Sequence, residues 1–111
     1  MEGELVHTIV YIQMRFAWDE RKNRTNRAKH KVSFETAISI FDDPYAISIQ
    51  DRFVTGEERW QTLGLIEGTV VLLVAHLVEV EGNEESIRII SARKATPRER
   101  EIYAQSRQKT E

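Results

Sequence analysis

The sequence predicts an α+β fold, with a mainly antiparallel sheet of about five strands, two N-terminal helices and one C-terminal helix. Two observations predict it. Four strand-like segments follow one another in the middle of the chain, with helical segments before and after them. Only short turns separate these four segments, so consecutive strands should be antiparallel neighbours. We expect the helices to pack on one face of the sheet.

The chain begins its predicted domain with one strand and two helices. Phe16 and Trp18 alternate with their neighbours as in a half-buried strand. Asp19 suits the N-cap of a helix from Glu20 to about His30, whose low apolar content predicts a surface position. A second helix begins at Ser33 and ends before an Asp-Asp-Pro turn. Apolar residues at helical spacing make this second helix a core element.

The remaining strands and the last helix have clear boundaries. The four strands are predicted over residues 45–50, 57–65, 69–79 and 86–92. The third of them is almost continuously apolar, as expected for a central strand. Thr96, Pro97 and Glu99 fit the N-cap, N1 and N3 positions of a capping box, so the terminal helix should run from Pro97 to about Gln108.

Composition narrows the class of protein. The chain has 111 residues and 41% hydrophobic residues, which suits one domain with a modest core. We expect a single domain over residues 14–108, with residues 1–13 as an optional extension. The absence of cysteine excludes disulfides and fits a reducing, cytoplasmic location. The longest apolar run is too short to cross a membrane, and the N-terminus does not read as a secretory signal.

Charge is strongly segregated along the chain. The formal net charge is −2, but residues 21–31 carry six basic residues and no acid. Residues 88–111 are also basic, whereas the segment between these two is acidic. If the two basic segments meet in space, they form a positive face suited to a phosphate backbone.

An arginine set near the last strand is the first candidate site. Arg88 lies among isoleucines, and a buried unpaired charge is costly, so it needs either a carboxylate partner or a wet cleft. Either Arg88 pairs internally while Arg93, Lys94 and Arg98 are solvated, or the set binds an anion. Arg88 and Arg93 fall on opposite faces of an ideal strand, so they converge only if the strand ends or bulges near Ala92.

Two further segments carry possible chemistry. His30 lies between Lys29 and Lys31, which disfavours its cation and suits a base, although a solvated helix end explains the same residues. Glu58, beside Arg59, could accept the proton of a ribose hydroxyl or simply pair with Arg88.

The remaining histidines give no metal site. His76 is expected to be a core histidine. Three scattered histidines without ligand spacing do not predict a metal site, and no cofactor is expected.

Several motifs in the same order resemble the BrnT family, the toxin halves of bacterial type II toxin–antitoxin pairs. The resemblance runs from about Met14 to about Tyr103. It is carried by Phe16 to Lys22, Asn26, Lys29 to Glu35, Ala37, Phe41 to Pro44, Glu58-Arg59, Gly64, Ile87 to Arg93, and Glu99-Arg100. It implies a RelE-like toxin that cleaves RNA without metal and inhibits translation.

The resemblance also implies a site and partners. The expected catalytic residues are His30, Glu58, Arg88 and Arg93. The expected RNA-binding residues are Lys29, Arg59, Lys94 and Arg98. The implied partners are an RNA substrate and a ribbon-helix-helix antitoxin of the BrnA type, with operator DNA bound only through the antitoxin. A homodimer or a toxin–antitoxin heterotetramer is compatible with this interpretation.

One position departs from the family pattern. Lys31 stands where the family commonly has glycine after Lys-His, and lysine at positive φ costs roughly 1 kcal/mol unless the helix ends differently.

Two other functions stay open. A non-catalytic nucleic-acid- or protein-binding module would use the same basic face. A structural domain would instead pair its arginines internally. Convergence of Glu58, Arg88 and His30 around an open cleft would distinguish the enzyme.

Overall fold

The computed structural model describes residues 14–54 and 57–110, so the predicted extension over residues 1–13 lies outside the described residues. The strands are β1 (Arg15–Ala17), β2 (Ile47–Val54), β3 (Glu57–Ile66), β4 (Val70–Glu81) and β5 (Glu84–Lys94). The α-helices are α1 (Glu20–His30), α2 (Phe34–Ala37) and α3 (Pro97–Thr110), and a 3₁₀ helix covers Ile38–Asp42. The α+β class is confirmed.

The sheet is mixed, which corrects the prediction of a mainly antiparallel sheet. Its strand order is β1-β5-β4-β3-β2. Strands β2 to β5 are antiparallel neighbours, as their short turns require. β1, however, pairs in parallel with β5, with Phe16 opposite Ile87. The sequence between these two strands contains two helices and three strands, so no tight turn fixes their relative direction.

The helices cover both faces of the sheet, which corrects the prediction that they share one face. Leu72 and Val74 of β4 point towards α2 and the 3₁₀ helix and join their core cluster. Val71 and Leu73 point the other way and pack in a second cluster with Tyr103 of α3. We call these two sides of the sheet the α2 face and the α3 face. Because β4 is apolar on both sides, each side needs its own cover.

α1 has the predicted bounds and lies at the edge of the sheet, where β1 ends. Asp19 caps it, because its Oδ1 accepts a hydrogen bond from the Arg21 backbone N–H at 2.8 Å. Its buried residues are polar, Asn23 and Asn26. The Asn23 side chain accepts a hydrogen bond from the Phe34 backbone N–H and donates to Glu35, which ties α1 to α2.

The predicted second helix is shorter and less regular than expected. Ser33 caps it as predicted, but the α-helix ends at Ala37 and continues as the 3₁₀ helix. Gly64 of β3 lies directly beneath this turn, and a Cβ at Gly64 would lie 2.6 Å from the Ile40 Cβ. The 3₁₀ helix therefore packs closely on the sheet only because β3 has a glycine there.

One carboxylate, that of Asp43, connects α3 to the sheet. The Tyr103 hydroxyl donates to Asp43 Oδ2 at 2.6 Å, and the same oxygen accepts from the Leu65 N–H at 2.8 Å. The predicted capping box is confirmed: the Glu99 N–H donates to Thr96 Oγ1, and the Thr96 N–H donates to Glu99 Oε1. Asp43 thus connects the turn after the 3₁₀ helix, β3 and α3.

Strand ends differ from the prediction where local turn signals are weak. β2 continues to Val54, beyond the expected end at Gln50. β4 and β5 continue towards each other until only Gly82 and Asn83 form the turn, although a longer polar turn was predicted. Glu84 and Glu85, which begin β5, are exposed, so their charges are compatible with a strand.

Candidate functional site

A β-bulge brings two arginines to one face of β5. Ala75 lies opposite Ser91, but the next residue of β4, His76, lies opposite Ile89, so β5 carries Ile90 as an extra residue. Arg88 then lies opposite Leu77, and Arg93 lies opposite Leu73. Directly opposite residues point to the same face, so both arginines belong to the α3 face. This is the bulge on which their convergence depended.

Arg88 is part of a row that crosses the three central strands. Arg59 of β3 lies opposite Leu77 of β4, and Leu77 lies opposite Arg88 of β5. Neighbouring strands are about 4.8 Å apart, so the two arginine Cα atoms are separated by about 10 Å. Leu77 is only 8% exposed. An apolar floor with an arginine at each side suits a ligand that is anionic and partly desolvated.

This row opens into a cavity of about 200 Å³ between the sheet and the start of α1. We call it the arginine pocket. Its lining residues are Asp19, Lys22, Arg59, Leu77, Arg88, Ile89 and Ile90. Three of these side chains are cationic, and together they can hold the oxygens of a phosphate group.

A second, open cavity of about 330 Å³ continues from the arginine pocket along α1. We call it the helix groove. Its lining residues are Arg21, Lys22, Thr25, Asn26, Lys29, His30, Ile90 and Ser91. Lys22 and Ile90 line both cavities, so the two are neighbours, and we call them together the track. Most of the charged side chains that line the track are basic, as expected for a surface that binds a polyanion.

The two arginines of the row have hydrogen-bonding capacity left for a ligand. Arg88 Nε lies 3.3 Å from Glu79 Oε1, but both side chains are nearly half exposed, so the pair is weak and a phosphate can replace it. Arg59 Nε is buried and has no hydrogen-bond partner among the described residues. A buried donor without a partner is unusual and is consistent with a ligand that completes it.

Arg93, in contrast, is already bound within the protein. Its Nη1 and Nη2 donate to Glu99 Oε1 and Oε2 at 2.8 Å and 3.0 Å. This bidentate pair lowers the pKa of Glu99 to about 2, chiefly through the hydrogen bond from Arg93, and raises the pKa of Arg93. Because Glu99 also closes the capping box, Arg93 holds the first turn of α3.

The other predicted site residues are distributed around the molecule. Lys29 and His30 line the helix groove, and Arg59 lines the arginine pocket. Glu58 precedes Arg59 in β3, so its side chain points to the opposite face. Lys94 lies opposite Leu72 and therefore points to the α2 face. Arg98 is exposed in the first turn of α3.

Glu58, Arg88 and His30 are therefore not brought together. Glu58 and Arg88 belong to different faces of the sheet. His30 is eight residues beyond Lys22, which is about 12 Å along the axis of α1. The predicted convergence of these three side chains is not seen, although an open basic cavity is present.

Two residues of the arginine pocket, Asp19 and Lys22, were not predicted from the sequence. Asp19 was interpreted only as a helix cap, and Lys22 only as one charge in a basic segment. The spacing of Lys22 and Lys29, together with Asn26 between them, places all three on one side of a helix. This spacing is the signal that could have identified the side of α1 that lines the track.

The described residues include no three His, Asp or Glu side chains arranged to hold a metal ion. His76 is a core histidine, as predicted: it is 4% exposed, its Nε2 lies 2.7 Å from Thr62 Oγ1, and Phe41 packs against it edge-on. Burial lowers the pKa of His76 to about 4.

In residues 14–54 and 57–110, no helix has the length and apolarity needed to cross a membrane.

Comparison with known proteins decides the family. Residues 18–99 match the family described as "Ribonuclease toxin, BrnT, of type II toxin-antitoxin system". The chain belongs to the BrnT family. The 1.1 Å crystal structure of the Brucella abortus ribonuclease toxin BrnT is similar, with a TM-score of 0.58 and 27% sequence identity. The similarity covers 76% of this chain and 99% of the Brucella protein. A search of curated proteins found no match.

Membership of the BrnT family confirms the resemblance found in the sequence. The match includes α1, strands β2 to β5 and the first residues of α3, so it contains all the lining residues of the arginine pocket and the helix groove. A toxin of a type II system acts with an antitoxin, and a ribonuclease toxin acts on RNA. These two partners are therefore implied for a BrnT-family chain.

Proposed function

We propose that this protein is the toxin of a type II toxin–antitoxin pair and a metal-independent endoribonuclease that cleaves RNA and inhibits translation. The observation that carries the proposal is the row of Arg59, Leu77 and Arg88, which opens into a basic track in a chain of a ribonuclease toxin family. We take the RNA to be single-stranded because α1 residues line one side of the track.

The two arginines supply one part of the chemistry of RNA cleavage without metal, the stabilisation of charge on the phosphate. The ribose 2′-hydroxyl loses its proton to water and its oxygen attacks the neighbouring phosphorus, while the bond from phosphorus to the 5′-oxygen breaks and water protonates that leaving oxygen, which gives a 2′,3′-cyclic phosphate and a 5′-hydroxyl. Negative charge builds up on the phosphate oxygens during this step. Guanidinium groups on both sides of that phosphate stabilise this charge, and they do so more strongly over a partly desolvated floor such as Leu77.

The remaining basic residues have supporting roles in this proposal. Lys22 and Lys29 bind successive parts of the strand along the track. His30 lies at the far end of the helix groove, so we assign it to the strand rather than to the phosphate held by Arg88. Arg93 positions α3 through Glu99. Glu58, Lys94 and Arg98 lie outside the track.

A second candidate function is RNA binding without cleavage. The observation that favours it is the separation of Glu58, Arg88 and His30, which leaves no predicted base beside the arginine row. In this case the protein would hold single-stranded RNA on the same track with the same arginines. Binding measurements alone therefore do not distinguish the two functions.

Cleavage of a defined RNA distinguishes them. The purified protein, free of any partner, is incubated with a 5′-labelled single-stranded RNA in EDTA, and products are separated on a gel. We expect cleavage by the wild type and a loss of about a hundredfold or more in Arg88→Ala. Arg24→Ala removes an exposed arginine of α1 that does not line the track, so this matched variant should cleave normally.

The outcomes separate the candidates. If the wild type binds the RNA but leaves it intact, both alone and in a translating extract, the protein is a binding module. If cleavage requires the extract, the toxin depends on the ribosome. If Arg88→Ala and Arg24→Ala cleave equally, the arginine pocket is not the site.

We also propose the nature of the partners. The antitoxin would be a ribbon-helix-helix protein of the BrnA type, and operator DNA would be bound only through it. The pair would act in the cytoplasm, and the assembly would be either a homodimer or a toxin–antitoxin heterotetramer. Family membership supports a partner antitoxin. Co-expression with a ribbon-helix-helix antitoxin of the BrnA type, followed by light scattering of the purified complex, tests the partner and the stoichiometry.

A further inference from the structure

The arginine pocket has one carboxylate among its lining residues, that of Asp19. It shares the pocket with Lys22, Arg59 and Arg88, but no ion pair joins Asp19 to any of these three side chains. The pocket therefore presents a cationic wall and a separate acceptor. A simple anion would bind the cationic side chains but would be repelled by the carboxylate. The pocket therefore suits a ligand that carries both an anionic group and a hydrogen-bond donor.

Asp19 is held rigidly in this position. As the N-cap of α1 it has extended backbone angles, and its Oδ1 accepts from the Arg21 N–H. That hydrogen bond lowers the pKa of Asp19, so the carboxylate is ionised and a poor proton acceptor. An ionised carboxylate can only accept hydrogen bonds, and the cap leaves some of its lone pairs unused. The ligand should therefore bring a hydrogen-bond donor to Asp19.

The size and lining of the pocket indicate which part of RNA brings that donor. A volume of about 200 Å³ is below the roughly 300 Å³ at which pockets for drug-sized ligands begin. None of its lining residues is aromatic, so it has no platform on which a base could stack. The pocket thus suits the sugar and phosphate rather than the base. In that part of RNA, the only donor is the ribose 2′-hydroxyl.

We propose that Asp19 is the residue that selects RNA over DNA, by accepting a hydrogen bond from a ribose 2′-hydroxyl while Arg59 and Arg88 hold the neighbouring phosphate. The inference rests on the proposed function because it uses the same pocket. It concerns recognition rather than cleavage, however, and a protein that only binds RNA would show it too. DNA lacks this hydroxyl. The negative charge of Asp19 would then repel the phosphate, with no hydrogen bond to offset the repulsion.

A mononucleotide pair tests the inference without any cleavage. Adenosine 3′-monophosphate has a 2′-hydroxyl beside its phosphate, 2′-deoxyadenosine 3′-monophosphate lacks it, and neither contains a phosphodiester bond. Both are titrated into the full-length protein, and amide chemical shifts are followed by NMR. One hydrogen bond to an ionised carboxylate predicts that wild type binds the ribonucleotide roughly tenfold to a hundredfold more tightly.

The key variant keeps the helix cap and removes the carboxylate. Serine is as good an N-cap as aspartate, so Asp19→Ser should preserve α1 while leaving no acceptor that reaches the ligand. We expect its ribonucleotide affinity to fall to the deoxyribonucleotide level. Its deoxyribonucleotide affinity should stay the same or rise, because a negative charge has been removed. Asp19→Asn, which also caps well, provides a second variant, and melting temperatures report the fold of both.

Glu79→Gln is the matched control. Glu79 is a carboxylate that pairs with Arg88 but does not line the pocket. Its removal frees Arg88, so both nucleotides should bind more tightly by the same factor and the preference should remain. Selective loss of the preference in Asp19→Ser, but not in Glu79→Gln, supports the inference.

Other results would overturn it. If Asp19→Ser keeps the wild-type preference for the ribonucleotide, another residue recognises the 2′-hydroxyl. If the affinities for both nucleotides and the melting temperature fall together, Asp19 has only a structural role. Equal binding of the two nucleotides by wild type, or binding of neither, rejects the inference even where RNA is cleaved. A clear ribonucleotide preference in a wild type that never cleaves RNA would reject only the proposed endoribonuclease.

Discussion

The side-chain amide of Asn26 replaces a strand at the open edge of β5, through two hydrogen bonds to the backbone of Ala92. Asn26 Nδ2 donates to the Ala92 carbonyl at 2.7 Å, and the Ala92 N–H donates to Asn26 Oδ1 at 3.2 Å. The same Nδ2 also donates to the Val32 carbonyl. β1 covers only the first part of this edge, opposite residues 86–88. α1 therefore completes the sheet with a side chain.

This arrangement predicts that Asn26 is essential for stability. Asn26→Ala would leave the Ala92 N–H and C=O and the Val32 C=O buried without partners, so the free energy of unfolding should fall by about 2–4 kcal/mol. Asn26→Asp should be similarly destabilising, because an ionised carboxylate cannot donate to either carbonyl. Urea denaturation measures both. Arg24→Ala, an exposed change on the same helix, should stay within about 0.5 kcal/mol of wild type.

Arg88 and Arg93 share a face of β5, but substituting them should change different properties: RNA binding for Arg88 and stability for Arg93. Arg88 is exposed and bound only by a weak pair, so Arg88→Ala should reduce RNA binding strongly and leave the melting temperature nearly unchanged. Arg93→Ala breaks a bidentate pair that anchors α3, so it should lower the free energy of unfolding by about 1–2 kcal/mol and affect RNA binding less. The reverse pattern would place the RNA contact at Arg93.

Glu99 should contribute an acid-dependent component to stability. Its pKa in the folded protein is about 2, compared with an ordinary value of 4.5. A lowered pKa stabilises the fold at every pH above the ordinary value. As the pH falls from about 4.5 to about 2, this contribution is lost, because the unfolded chain takes up the proton first. The stability difference between wild type and Glu99→Gln, measured by urea denaturation at each pH, should therefore shrink across that range.

Local signals predicted the elements whose ends are determined by single side chains. The Asp19 cap placed the start of α1, and the capping box of Thr96 and Glu99 placed the start of α3. The continuous apolar run identified β4 as a central strand. Each of these features depends on residues a few positions apart, so the sequence alone contains the necessary information.

Features that depend on distant residues could not be predicted in this way. The parallel pairing of Phe16 with Ile87 joins segments about seventy residues apart and left no signal in either. The bulge at Ile90 depends on the register of β5 with β4. The sequence alone could therefore indicate only that Arg88 and Arg93 would share a face if β5 ended or had a bulge between them. The pocket role of Asp19 was hidden because its role as a helix cap already explained the residue.

Lys31 provides a test of backbone strain. It ends α1 in the left-handed conformation, with φ of 63°, and its N–H donates to the Arg27 carbonyl. This conformation costs a lysine about 1 kcal/mol more than a glycine. Lys31→Gly should therefore raise the free energy of unfolding by about that amount, measured by urea denaturation. Arg24→Gly, at a position with ordinary helical angles, should lower it by about 1 kcal/mol. Equal effects at the two positions would show that Lys31 is not strained.

His76 should make the fold sensitive to mild acid, in a pH range distinct from that of Glu99. Burial lowers its pKa to about 4 from an ordinary 6.5, so the folded protein keeps the ring neutral while the unfolded chain binds a proton. Stability is therefore complete above about pH 6.5 and falls as the pH decreases towards 4, by up to about 1.4 kcal/mol per pH unit.

The matched variant for this prediction is His76→Gln, which can still form a hydrogen bond with Thr62 but does not titrate. We expect wild type to be the more stable protein at pH 7 and its advantage to narrow steadily towards pH 4, as measured by urea denaturation at each pH. Because His76 is buried and Thr62 and Phe41 contact the ring, a charged imidazole there would lose its hydration. Parallel stability curves for the two proteins would mean that His76 is protonated without cost in the folded state.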